Sequence, residues 1–303
     1  MNKQSQWPLY SLLLGATLWG LTWWPLRAVG HLGIGGVYLS LLSASAALLL
    51  LIPFAWRQRG NWPAHVRGLA LITLFGGYAN LTYTVAMLNG NPLRVMMLFY
   101  LAPIWSLIGA RLVLRERLDL LRVIAVLVAV VGAVMTLGGP QILRQAPAAI
   151  DLLAISAGFA YAMNNLAYRH AENLPDCSKN MACYVGALTW ILLLWPIAGS
   201  APSPAVTSYW WLAMLFGVLW YLPAVVFTQF GVSRLEATRS AVLITLELPV
   251  AAFSTWLIAG VRMTPLETLG GTLIFAAALL DSMPRTAGAG ADAGPAANLG
   301  PSL

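Results

Sequence analysis

The chain has 303 residues, of which 59% are hydrophobic and only 9% are charged. No water-soluble fold can cover that much apolar surface with so few charges, so the composition excludes a soluble globular protein and leaves the bilayer as solvent. The formal charge of +7 comes with no nucleic-acid-binding motif and points instead to membrane topology.

A helix needs roughly 20 mostly apolar residues to cross the ~30 Å hydrocarbon core. Ten such runs follow one another, at about residues 7–29, 35–54, 68–88, 95–114, 120–137, 152–170, 181–197, 210–230, 237–259 and 265–283. Lys3 before the first run imitates a signal peptide, but the run's length and its Trp19, Trp23 and Trp24 favour a retained span. The expected class is an all-α integral membrane protein. Its expected organisation is a cytoplasmic tail (1–6), a five-helix repeat (7–138), a linker (139–150), a second, inverted five-helix repeat (151–283) and a Gly-, Ala- and Pro-rich disordered tail (284–303).

The fourth and ninth runs carry the strongest internal likeness. Residues 94–118, RVMMLFYLAPIWSLIGARLVLRERL, have a weaker copy in residues 239–263, RSAVLITLELPVAAFSTWLIAGVRM, and placing Pro103 on Pro249 pairs 94–117 with 240–263 without a gap. A proline inside a helix removes one donor and pushes the preceding turn open, here at the carbonyls of Phe99 and Thr245. Freed carbonyls in a membrane must face protein or water. Matched breaks in two halves are the sequence mark of a transporter's central site, and Pro103 and Pro249 are the expected hinges.

Lysine and arginine set the orientation. An N-terminus in the cytoplasm leaves only Arg27, Arg94, Arg144 and Arg262, of 17 Lys and Arg residues, on the outer side. Ten spans then return the C-terminus to the cytoplasm. Five spans per half is an odd number, so the second half enters the membrane upside down.

These features resemble a known family. The order of Leu18, Trp19 and Gly20, then Leu101 and Pro103, the Leu114–Leu118 turn, Gly132, and Tyr161 with Ala162 is similar to the EamA-type branch of the drug/metabolite transporter superfamily over residues 9–283. Within it, Tyr78, Tyr100, Leu101, Pro103 and Tyr161 look most like the YddG-type exporters of aromatic and other amino acids. Arg262 and Glu247 depart from that pattern. The resemblance implies ten helices around a central cavity, net export, and a bacterial inner-membrane location.

The candidate substrate-binding residues are Trp19, Tyr78, Tyr83, Tyr100, Tyr161, Asn165, Tyr221 and Glu247. Aromatic rings with polar tips and an amide can hold an amphipathic solute, in a cavity expected between spans three, four, eight and nine and closed by one and six. Glu247 is the one acid near mid-span. Placing it there costs on the order of 2.5–3.5 kcal/mol, so it should face the bundle interior, where it is a candidate for a substrate ammonium or a coupling proton. Glu116 lies in a turn between arginines and reads as structural. Cys177, Cys183 and the three histidines are scattered, so no metal site or cofactor is expected. No HExxH or GxSxG motif and no pair of intramembrane aspartates is present, which argues against an enzyme. The ribbon of Ala125, Ala129 and Ala133 suits close helix packing or a weak homodimer of an otherwise monomeric chain. The expected partners are the bilayer and small molecules. The reading is export of amino acids by alternating access; the alternative is export of aromatic cationic drugs, which an acid and an aromatic wall would also suit.

Overall fold

The computed structural model describes residues 6–34, 36–90, 92–116, 118–139, 146, 148–198, 203–260 and 262–282. Residues 1–5, most of the 139–150 linker and the expected tail at 284–303 lie outside the described residues.

Every regular element among the described residues is helical. The first run is α1 (Trp7–Leu21) and α2 (Trp23–Gly30), followed by α3 (Gly36–Trp56) and α4 (Val66–Asn89). The fourth run is split into α5 (Pro92–Phe99) and α6 (Ala102–Leu112), and α7 (Leu120–Thr136) follows. Then come α8 (Ala149–His170), α9 (Asp176–Ala198), α10 (Pro204–Phe216) and α11 (Leu222–Val232). The ninth run is α12 (Ala237–Ile244) with α13 (Glu247–Ala259), and α14 (Pro265–Ser282) closes the described chain. Six of these stretches are long and apolar enough to cross a membrane, and α7 and α14 are apolar but shorter. Leucines at 49, 192, 193, 257 and 279 point outward on the bundle surface. Such an apolar exterior is satisfied by lipid tails and by no aqueous solvent.

Both proline-containing runs break where the missing donor requires it. Around Pro103 the chain tightens to Leu101 N–H···O=C Leu98 at 3.4 Å and Ile104 N–H···O=C Leu101 at 2.9 Å. Around Pro249, Leu248 N–H reaches the Thr245 carbonyl at 3.1 Å, so a three-residue bond replaces the one that proline cannot make. A third irregularity was not expected. Between α10 and α11 the chain makes a π turn over Gly217–Tyr221, with Leu222 N–H bonded to the Gly217 carbonyl. Pro223 follows at once, and the wider turn accommodates a residue that cannot donate.

The helices pair in a regular pattern. α1 lies along α11 and α13, while α8 lies along α4, α5 and α6; α9 packs on α3 and α4, α10 on α3, and α7 on α14. The α7–α14 contact is nearly backbone to backbone. A Cβ on Gly132 would stand 2.8 Å from the Gly270 carbonyl oxygen, and one on Gly270 would stand 2.4 Å from the Thr136 nitrogen. Ala125, Ala129 and Ala133 are buried on this bracing pair.

Charged side chains clasp the helix ends. Arg94 at the start of the fourth run donates through Nε and Nη2 to both oxygens of Asp151 on α8, each at 2.7 Å. Arg115 takes a left-handed conformation with φ 56°, and Glu116 N–H then closes on the Ala110 carbonyl at 2.9 Å, which ends α6 as a glycine normally would. Glu116 itself reaches across to α12, where its carboxylate accepts from the Ala237 N–H at 3.1 Å. Burial pushes its carboxyl above the ordinary range, and the bond from Ala237 only partly opposes this. Lys179 near the start of α9 is fully buried. Its ammonium donates to Ser233 Oγ at 2.7 Å, lies 3.0 Å from Asp176, and faces the Tyr168 ring.

Candidate functional site

The two breaks meet. α5 and α6 bring Phe99, Tyr100, Ala102, Pro103 and Ser106 to a central cavity, α8 brings Tyr161 and Asn165, and α12 with α13 brings Ala241, Ile244, Thr245 and Glu247. The break sets the direction of two of these side chains. Tyr100 stands in the turn between α5 and α6, and Glu247 is the first residue of α13. The Tyr100 hydroxyl donates to a Glu247 carboxylate oxygen, joining the two bends.

The cavity is small, about 20 Å³, which is room for about one water molecule. The cavity was expected between spans three, four, eight and nine, closed by one and six, but the third, eighth and first runs contribute none of its lining. Spans four, six and nine line the space. The reason is the Phe99 ring, which stands 4.7 Å from the Tyr83 ring and 5.3 Å from the Tyr161 ring and fills the side toward α4. Tyr83 packs on the Phe99 ring and Tyr221 on Trp19 and Phe216, and neither lines the cavity, whereas Tyr161 lines it together with Tyr100 and Glu247.

The other nominated residues are placed as follows. Asn165 lines the cavity and its carbonyl oxygen accepts from Gln229 Nε2 at 3.3 Å. Trp19 sits edge-on to Tyr221 at 5.0 Å, one layer further out. Tyr78 is not brought to the cavity: its hydroxyl pairs with Ser156 at 3.2 Å and its ring packs on Trp190. Pro103 borders the cavity, whereas Pro249 is buried toward Gly271 of α14. Trp23 and Trp220 serve as stitches, donating to Ser254 Oγ at 2.9 Å and to Thr22 Oγ1 at 2.9 Å.

Sequence reasoning passed over Phe99, Ser106, Ile244 and Thr245, all of which line the cavity. For two of them a signal existed. Phe99 and Thr245 are the residues four before Pro103 and Pro249, so the same matched breaks that named their carbonyls also locate their side chains. No cluster of His, Cys, Asp and Glu suited to a metal ion occurs among the described residues.

A glycine from the opposite half lies against each bend. A Cβ on Gly158 of α8 would stand 2.5 Å from the Phe99 oxygen, and a Cβ on Gly20 of α1 would stand 2.6 Å from the Glu247 oxygen. Protein, not lipid, therefore covers the bends, as the absence of water in a bilayer demands.

Apolar helices broken around a small interior pocket define the class, a multi-pass membrane transporter of small molecules. The chain belongs to the EamA-like transporter family, whose model matches residues 6–138 and again residues 148–283. One crystal structure, described only as that of a protein, is similar over 92% of this chain and 98% of its own, with a TM-score of 0.72 and 17% sequence identity. That is a likeness of fold. No curated protein matches the chain.

Proposed function

We propose that the chain forms ten spans in two inverted five-span repeats and exports small amphipathic solutes that carry an ammonium group, amino acids including aromatic ones first among them, across the bacterial inner membrane. The termini lie in the cytoplasm, and the pocket at Tyr100 and Glu247 is reached from each side in turn as the halves rock about Pro103 and Pro249. The observation that carries this reading is the single carboxylate of Glu247 in an otherwise neutral, aromatic pocket. The helix pairing supports the repeat. Exchanging the halves turns the α1–α11 contact into α8–α4 and the α1–α13 contact into α8–α6, and it leaves the α3–α9 and α7–α14 pairs unchanged.

A second reading has its own support. The lining holds no Lys, Arg or His, so a substrate carboxylate would find only neutral donors there and would feel the charge of Glu247. An aromatic monocation lacks that difficulty. Counterflow in proteoliposomes with tryptophan, tryptamine and indole-3-propionate separates the cases. Tryptophan and tryptamine should both exchange and the acid should not; exchange of tryptamine alone would select the cation reading. Exchange of the acid alone, or of none of the three, would remove the proposal. In a pH-jump assay, a Glu247→Gln variant that kept the wild-type response would remove Glu247 as a proton carrier.

A further inference from the structure

The carboxylate of Glu247 is answered from within the chain. Tyr100 points its hydroxyl proton at the carboxylate, and about 20 Å³ is left beside the pair. An aromatic amine is many times larger than a single water, so it cannot enter while this bond and the surrounding rings stay in place. The donor stands where the helix is interrupted. Tyr100 lies in the non-helical turn three residues before Pro103, and its backbone N–H is held by the Met96 carbonyl at 2.9 Å; the turn's next bond, from Leu101, is long at 3.4 Å.

We propose that Tyr100 is an internal surrogate for the substrate ammonium: its hydroxyl occupies Glu247 and must be displaced before a cationic solute binds. This rests on the ammonium reading above and deepens it by naming the residue that sets affinity. The physical consequence is a tax on binding. If the pocket is competent only in the fraction of molecules with the Tyr100–Glu247 bond broken, the apparent dissociation constant is the intrinsic one divided by that fraction. Removing the competing donor should therefore strengthen binding, the reverse of what loss of an ordinary contact residue does.

The test is equilibrium binding of tryptamine to purified full-length protein in lipid nanodiscs, comparing the wild type with Tyr100→Phe and Tyr161→Phe. Tyr100→Phe keeps the ring and should bind roughly 10- to 100-fold tighter, the scale of one charge-assisted hydrogen bond given up. Tyr161→Phe changes another ring of the same wall and should not tighten binding. In a Glu247→Gln background the effect of Tyr100→Phe should vanish, because the two changes report one interaction. Equal or weaker binding by Tyr100→Phe, with wild-type binding intact, overturns the surrogate role alone. Failure of both wild type and Tyr100→Phe to bind tryptamine overturns the ammonium reading with it. A second measurement needs no variant. In the infrared difference spectrum of wild-type protein with ring-labelled tyrosine, tryptamine should shift a tyrosine C–O band; binding without any tyrosine band would refute displacement.

Discussion

The carbonyl oxygen of Phe99 lies against the backbone of Gly158, with no room between them for a methyl group. Pro103 has removed that oxygen's helical donor, and a glycine on the neighbouring helix lets protein close over it. Gly20 stands in similarly close contact with the Glu247 carbonyl, two residues beyond the Thr245 carbonyl that Pro249 frees, so at each bend a glycine lets a neighbouring helix approach.

Gly158→Ala and Gly20→Ala should each destabilise the protein by about 1–3 kcal/mol, because the added carbon must push a backbone aside. Gly30→Ala, at a position with nothing within 4 Å, should be neutral or slightly stabilising. Thermal unfolding in one detergent compares the three. Equal melting temperatures would mean that the bends are not held by these contacts.

Pro103→Ala returns a donor to the Phe99 carbonyl and should straighten the α5–α6 turn. The expected result is a fold whose stability is unchanged or raised by up to about 1 kcal/mol, with slower counterflow. Transport at the wild-type rate would remove Pro103 as a hinge.

The Arg94–Asp151 clasp is bidentate and buried, with both side chains 9% exposed. Asp151→Asn should cost about 2 kcal/mol, the scale of a hydrogen bond between charged groups. Arg94→Lys should not substitute for arginine, since an ammonium cannot match both carboxylate oxygens in one plane. The coupling in a double-mutant cycle is the measurement, and additive losses would show that the pair is not energetically joined.

Lys179 and Arg234 share Asp176 and differ in setting. Lys179 is 0% exposed, whereas Arg234 is 37% exposed. Lys179→Ala should destabilise by about 3 kcal/mol, and Arg234→Ala by less than about 1 kcal/mol. Denaturation in a fixed lipid-detergent mixture reads both, and comparable losses would contradict the burial argument.

Glu116 supplies a pH dependence with a definite sign. Its carboxyl titrates above the ordinary value of a free glutamate in the folded state because burial disfavours its charge. Between that value and the raised one, the folded state holds more proton than the unfolded state, so this group's contribution to stability falls as pH rises. Glu116→Gln keeps an oxygen for the Ala237 N–H and should lose this component. The stability difference, wild type minus variant, should therefore decline across the window and level off above it. Glu116→Ala removes the cap as well and should be about 1 kcal/mol less stable than Glu116→Gln at any pH. A difference that rises with pH would invert the assignment.

The amino-acid sequence alone determined the solvent, because a chain with so few charges has only lipid to face, and it located the two breaks, because proline's missing donor is a local fact. It also supplied Glu247 and the cavity-lining Tyr100, Tyr161 and Asn165, since mid-span polar groups must turn inward wherever they lie. What only the tertiary structure decided depends on helix rotation and on distant pairs. Tyr78 and Tyr83 are one and a half turns apart on the same helix, yet only Tyr83 faces the Phe99 ring, and no periodicity within α4 distinguishes them. The Tyr100–Glu247 bond, the Glu116 cap on α12 and the Arg94–Asp151 clasp join residues 147, 121 and 57 positions apart. Such contacts follow from how whole helices pack, and so does the filling of the pocket by Phe99, which no single stretch of sequence specifies.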